Sequence, residues 1–400
     1  MNLPFFIVNR LSGSNKGNFA GRIVNIAIAG VALGFAVIVI AIAAVNGFQK
    51  EIESKVKGFS GEIEVRKTGT TDNYDYPLFD DSDSLNKTIA VVEGVKFINK
   101  VAAKPAIIKV NDELLGIIYK GVDSTYNSEY FKRFIKEGSM PKGTNDILIS
   151  EYMSKKLLLK VGDKMRVYFI KQPVRAIASN VCGIYQTGLE EQDKMLALGS
   201  MADIQRIYAE NRNQITHLEI FINPESNPET VREELLSILD YDLDCHLITE
   251  LQPQIFQWLE YLDVNKYIIL SLMIFVSGIS LITALLILVI ERTNMIGILK
   301  TLGASNALIK KIFLYKIAYI AVVGITIGNV LGVGLCLLQL KTGFLKLNQE
   351  TYYIDTVPID LNMNVILLVN ATCFAICFIA LLLPVQMVSK VTPAKSVRFD

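Results

Sequence analysis

Histidine, tryptophan and net charge are what this chain has least of: two His, one Trp, and 40 Lys and Arg against 39 Asp and Glu in 400 residues. The even charge gives no reason to expect a nucleic-acid partner. His217 and His246 sit in stretches that alternate like strands and have no ligand-spaced companion. They read as ordinary strand residues, and no metal ligand is assigned. There is no G-x-x-x-x-G-K-[ST] loop, because Gly13-Ser14-Asn15-Lys16-Gly17 lacks the spacing and the hydroxyl. A P-loop ATPase is therefore excluded. A G-x-S-x-G elbow is missing too, and no catalytic residue is assigned. Of the five cysteines, Cys336, Cys373 and Cys377 lie in apolar runs, where Cys acts as a small apolar residue. Cys182 and Cys245 lie in a polar stretch and could bridge in an oxidising compartment. We read them as two unpaired thiols.

Charge is also missing locally, and this decides the class. No Asp, Glu, Lys or Arg occurs between Arg22 and Lys50, Lys266 and Glu291, Lys316 and Lys341, or Asp360 and Lys390. Each run exceeds the roughly 20 residues a helix needs to cross the hydrocarbon core. The expectation is an α-helical membrane protein with four transmembrane helices, at about 23–46, 267–290, 312–340 and 364–388. The first run is too long for the apolar part of a secretory signal, so an uncleaved anchor is expected. Lys and Arg concentrate before the first run, in 291–311 and in the 389–400 tail, whereas the 341–363 loop leans acidic. By the positive-inside rule both termini and 291–311 face the cytoplasm, and 47–266 faces outside. Residues 1–22 open with Leu3-Pro4-Phe5-Phe6-Ile7-Val8, an amphipathic segment for the inner membrane face.

The outside segment reads as an α+β extracytoplasmic domain. Strand patterns at 62–65 and 97–110, a turn at 111–113 and a strand at 114–122 flank a helix at about 84–93. Strands at 216–223 and 245–249 flank a helix opened by Pro228. These pieces suggest a split βαβ, ferredoxin-like arrangement. Between them, about 124–205 is an inserted β-rich subdomain: strands at 147–150, 164–170, 175–185 and 194–198, helices at 151–158 and 202–208. Residues 254–262, with Phe256, Trp258 and Tyr261, run into the second span with no breaker, as a stalk or an aromatic belt.

Between spans two and three, Met295, Ile296, Leu299 and Leu302 recur at helical spacing, and Gly303 sits where a helix stop belongs. Such an amphipathic helix at the membrane surface is a handle for a soluble partner. Gly30 and Gly34 in span one, and Gly324, Gly328 and Gly332 in span three, keep the interval that lets helices approach closely. No ionisable group lies at the centre of any run, which argues against an ion-driven carrier. Four spans are few for one pore, so a dimer is expected.

Residues 291–305, Glu-Arg-Thr-Asn-Met-Ile-Gly-Ile-Leu-Lys-Thr-Leu-Gly-Ala-Ser, resemble the signature closing the second span of FtsX/MacB-type ABC transporter permeases. The tail from Leu383-Pro384 to Arg398 is similar to that family's ending. Residues 25–34, Val45-Asn46-Gly47-Phe48, Gly58-Phe59-Ser60-Gly61 and 352–359 resemble the lipoprotein-releasing LolC/LolE branch. The resemblance implies a non-enzymatic permease of the bacterial inner membrane, with a MacB-like periplasmic domain. It implies a separate, LolD-like ATPase that binds ATP and Mg, so that no cofactor belongs to this chain. It also implies a second permease copy or paralogue, a lipoprotein substrate within membrane lipid, and a LolA-like periplasmic chaperone. By position, Glu291, Arg292, Ile296, Gly297, Lys300, Leu302 and Gly303 would contact the ATPase. Candidate substrate contacts at the outer span ends are Val45, Phe48, Val264, Tyr267, Tyr352 and Tyr353; each could equally anchor its helix. One departure is the short 171–175 stretch, where chaperone-docking members carry a projecting Pro-rich loop. Two other readings stay open: a MacB-like exporter of a peptide or drug, and an FtsX-like mechanotransmitter acting on a cell-wall hydrolase.

Overall fold

The first helix, α1 (Phe19–Ser60), outlasts the charge-free run that predicts it. The expected span stops at 46, but helical spacing continues through the charged stretch, and Ile52, Val56 and Phe59 are all buried. Charge marks where the hydrocarbon ends, not where the helix does. The computed structural model describes residues 19–69, 76–208, 213–348, 352 and 354–385. The expected amphipathic segment at 3–11, Tyr353 and the 389–400 tail lie outside them.

In chain order there follow β1 (Ile63–Lys67), β2 (Phe79–Asp80), α2 (Asp83–Ala90), β3 (Val95–Val110) and β4 (Glu113–Val122). Next come α3 (Glu129–Lys132), β5 (Ile135–Gly138), β6 (Asp146–Ser150), α4 (Glu151–Leu157), β7 (Lys164–Phe169) and β8 (Arg175–Tyr185). Then α5 (Glu190–Met195), β9 (Leu196–Ser200), α6 (Met201–Tyr208), β10 (Gln214–Ile215), β11 (His217–Ile222), α7 (Pro228–Ile238), β12 (Leu243–Leu247) and α8 (Ile248–Leu251). The chain closes with α9 (Pro253–Glu291), α10 (Thr293–Thr301), α11 (Asn306–Thr342) and α12 (Met363–Val385).

Two compact units emerge. The α+β unit holds Glu51–Gln257 and Leu347–Asp355; the membrane unit holds the rest. In the α+β unit the strand order is β12-β1-β11-β3-β4-β9-β6-β8-β5, with β7 pairing β3 and β8. The pieces β1–α2–β3 and β11–α7–β12 interleave as β12-β1-β11-β3, antiparallel throughout. The stretch from 124 to 205 extends this same sheet, because β9 pairs parallel with β4. Its local elements follow their caps. The Ser82 hydroxyl accepts from Leu85 N to start α2, Ser150 does the same for α4, and Pro228 opens α7 behind the Asn227 cap. One expected strand, 194–198, is corrected. Lys194 and Met195 form the last turn of α5, and the strand starts at Leu196. Glu190 and Glu191 in the first turn favour a helix there through its dipole. Cys182 in β8 and Cys245 in β12 are unbridged, on strands far apart in the sheet order.

In the membrane unit α1, α9 and α11 are long and apolar enough to cross a membrane, and α12 is a shorter apolar helix. Val31, Phe35 and Ile38 of α1 share a core with Leu281 and Leu285 of α9, Ile317 and Ile320 of α11, and Cys373 of α12.

Candidate functional site

Close approach in the membrane unit is built on the glycines. A methyl group added at Gly328 would lie 2.6 Å from the Ala32 carbonyl oxygen and 2.8 Å from the Phe35 Cβ. At Gly324 it would meet Val31, and at Gly332, Val39. Gly30 and Gly34 face Ser280 and Ser277 of α9 instead. All five glycines thus serve contacts of α1 with its neighbours in the same chain. Neutral polar groups add to the packing. Asn370 Nδ2 donates to Asn329 Oδ1 at 2.9 Å, joining α12 to α11. The buried Gln339 donates to Leu345 O and Val357 O and accepts from Leu345 N.

The element after α9 has a defined shape. Helix geometry breaks at Arg292, restarts as α10, and stops before Gly303, whose φ of +88° suits glycine. Ser305 then caps α11, its hydroxyl accepting from Leu308 N. Ile296 and Gly297 are buried, so they hold α10 in place and offer no outer surface. Arg292 and Lys300 are half-buried, while Glu291, Leu302 (78% exposed) and Gly303 point outward. The expected face needs correction: Ile296 is buried, Met295 packs against the membrane core and Leu299 is half-buried, but Leu302 lies past the helix end and is open. Ile298 joins the outward surface. Its spacing from Glu291, Asn294 and Leu302 could have revealed it.

The substrate candidates divide. Val45 and Phe48 on α1 are half-buried, and the Phe48 ring stands edge-on to Trp258 of α9 at 5.7 Å. The same two helices are stitched by Gln49 Nε2 donating to Leu259 O at 3.0 Å. Lys266 Nζ donates to Asp263 at 2.5 Å. Val264 and Tyr267, one helical turn apart on α9, are exposed. Tyr352 is exposed and belongs to the α+β unit.

A second constellation, unseen in the sequence, lies inside the α+β unit. Here the last turns of α1 meet charged side chains that are themselves buried. Lys55 Nζ donates to Thr187 O at 2.9 Å, and the Tyr130 hydroxyl donates to Lys55 O at 2.7 Å. Lys120 Nζ donates to Phe59 O at 2.6 Å and to Glu219 Oε1 at 2.5 Å. His217 Nε2 stands 3.7 Å from that same carboxylate oxygen. Burial opposes the charge on Glu219, yet the Lys120 ammonium and His217 together hold its carboxyl below the usual range. At Asp193 burial prevails. Its carboxyl is pushed up although Thr187 and Gly188 donate to it. Burial also pushes the Cys182 and Cys245 thiols to about 12, which leaves them unreactive. A cavity of about 120 Å³ adjoins the cluster, lined by Glu64, Tyr76, Lys120, His217 and Glu219 among others. The available signal was phase: His217 and Glu219 alternate with Leu218 and Ile220 in a strand buried on both faces. Near the sheet's other end, β7 and β8 are joined by the short turn 170–174.

Comparison with known proteins matches this architecture. The family model described as MacB-like periplasmic core domain covers residues 26–238, and FtsX-like permease C-terminal covers 267–393. The chain is 25% identical to the lipoprotein-releasing system transmembrane protein LolC of Neisseria meningitidis serogroup B, over 98% of this chain and 97% of that one. It is also 25% identical to LolE of the same system in Haemophilus influenzae, over 99% of each chain. Among solved structures, the periplasmic region of MacB from Actinobacillus actinomycetemcomitans aligns with 52% of this chain and 97% of its own, at 10% identity and a TM-score of 0.35. With the core model spanning more than half its length and the permease model most of the remainder, the chain belongs to the MacB-like periplasmic core family, as an FtsX/MacB-type ABC transporter permease.

Proposed function

We propose that this protein is the permease subunit of an inner-membrane ABC transporter that releases lipoproteins from the membrane towards a periplasmic chaperone. The observation that carries the reading is likeness along nearly the whole chain to two lipoprotein-releasing permeases, spans and outer domain together. In this reading α12 is the fourth span, both termini are cytoplasmic and the α+β unit is periplasmic. A separate ATPase binds ATP and Mg and docks on the outward surface of Glu291, Ile298, Leu302 and Gly303. Arg292, Ile296, Gly297 and Lys300 hold that surface in shape. Acyl chains cost about 0.8 kcal/mol per CH₂ to expose to water, so release needs both ATP and an apolar receiving surface. Val264 and Tyr267 supply exposed apolar side chains for it, with Val45, Phe48, Tyr352 and Tyr353 as further contributors. The short 170–174 turn favours a lipoprotein-accepting role for this chain, with the chaperone docking on a partner permease.

The test is affinity purification from native membranes in mild detergent, with mass spectrometry of what is bound. An ATPase, a second permease and acylated lipoproteins are expected. Leu302→Glu should lower ATPase recovery at least tenfold while the chain stays folded. An adaptor with an outer-membrane channel would move the assignment to an exporter, and failure to recover any ATPase with the unmodified chain would overturn it.

A further inference from the structure

The C-terminal end of α1 carries carbonyl groups whose helical partners have run out. One of them, Phe59 O, accepts from the ammonium of Lys120, which arrives from β4. The same ammonium donates to Glu219 on β11, and β3 lies between those two strands. One side chain thus ties the helix end to two strands. Lys120 is 4% exposed and Glu219 1%. The Lys120 ammonium also lies over the rings of Tyr126 and Phe131. Phe59 wedges edge-on between Tyr130 and Phe131, with ring centroids at 5.8 and 4.8 Å.

A buried ion pair of this kind does little for stability that apolar residues could not do. What it supplies is direction. A cation at a helix C-terminus is drawn along the helix axis by the dipole and the free carbonyls. Apolar packing alone lets a helix end slide or rotate at small cost, whereas this contact exists only at one position of Phe59 O.

We infer that Lys120, held by Glu219, is a positioning residue that fixes the end of α1 on the sheet, so that movement of α1 reaches the α+β unit. This rests on the transporter reading above, in which ATP-driven motion must pass from the membrane spans to the outer domain.

The test compares Lys120→Arg with the charge-free pair Lys120→Met/Glu219→Leu, which leaves no buried charge unpaired. Each full-length chain is assembled with its partner permease and ATPase in lipid nanodiscs. ATP turnover, lipoprotein release per ATP, and amide hydrogen exchange over 57–61 are then measured. The charge-free pair should keep ATP turnover within twofold of the unmodified complex. Its release per ATP should fall at least tenfold, with exchange at 57–61 faster by a similar factor. Lys120→Arg should recover at least half of the release. Unchanged release per ATP and unchanged exchange in the charge-free pair would overturn the inference. If the unmodified complex releases no lipoprotein, the transporter reading fails instead, and exchange over 57–61 still judges whether Lys120 fixes the helix end.

Discussion

The membrane unit buries neutral polar groups, Gln339 and Ser277, and half-buries the hydrogen-bonded Asn329–Asn370 pair. Among the described residues the charged exception is Lys316, at the edge of a charge-free run. In the α+β unit the buried polar groups are mostly charged side chains: Lys55, Glu64, Arg66, Lys104, Lys120, Asp193, Asp203 and Glu219. Each unit matches the medium its surface is built for. A charge among lipid tails has no water to return to, so spans favour small residues and amides that satisfy each other. A domain facing water can enclose charges if each finds a partner, and those partners then fix geometry. The contrast places specificity differently. In the spans it rests on shape, and in the α+β unit it rests on charge.

Four measurements can break or sharpen this contrast. Lys120→Ala should have the largest effect, because it leaves the Glu219 charge buried without its ammonium. A loss of about 3–5 kcal/mol is expected in denaturant unfolding of the α+β unit within the full chain. A loss below 1 kcal/mol would mean that the pair holds nothing in place. Gly328→Val comes next. Overpacking of about 1–3 kcal/mol against Ala32 and Phe35 should shift detergent-solubilised protein to lower thermal midpoints. Gly278→Val is its control, since no atom lies within 4 Å of a methyl group there.

Acidification gives the third measurement. The carboxyl of Glu219 is held below its ordinary value in the folded chain. It therefore contributes stability above that ordinary value, and the contribution disappears as pH falls through the lowered one. Asp193 is raised, so its contribution has the opposite sign: full below the ordinary carboxylate value, lost as pH climbs through the raised one. Unfolding free energy should fall below about pH 4.5, and Lys120→Ala should flatten that fall. A steeper fall in the variant would reverse the assignment. The smallest effect belongs to Asn370→Leu, about 0.6 kcal/mol for an interhelical bond between spans. A cost above that of Lys120→Ala would dissolve the contrast between the units.

The sequence makes the long elements legible for a simple reason. Charge-free runs and alternating strands are one-dimensional signals, so α9, α11, β3, β4 and β8 follow from composition and period. The continuation of α1 past 46 does not, because Lys50, Glu51 and Glu53 read as the end of a span, while Ile52, Val56 and Phe59 carry the helix onward. The surface after α9 is half legible. Its existence follows from the charges at 291 and 292, but which side of α10 turns outward depends on where α11 packs. The Lys120–Glu219 contact is not legible, since the residues stand 99 positions apart and meet only through strand order. Burial of a Lys contradicts its usual surface place.

Gln339 has a consequence for how this chain could change length. Its side chain bonds both arms of the connection between α11 and α12, at Leu345 and at Val357, and the arms touch again where Lys346 bridges Thr356. A residue added between 340 and 345, or between 357 and 360, would pull a backbone group off that amide and leave a buried polar side chain unsatisfied. Lengthening of this connection, by evolution or by a reporter tag, is thereby channelled beyond the bridge, into the stretch from Leu347 to Asp355.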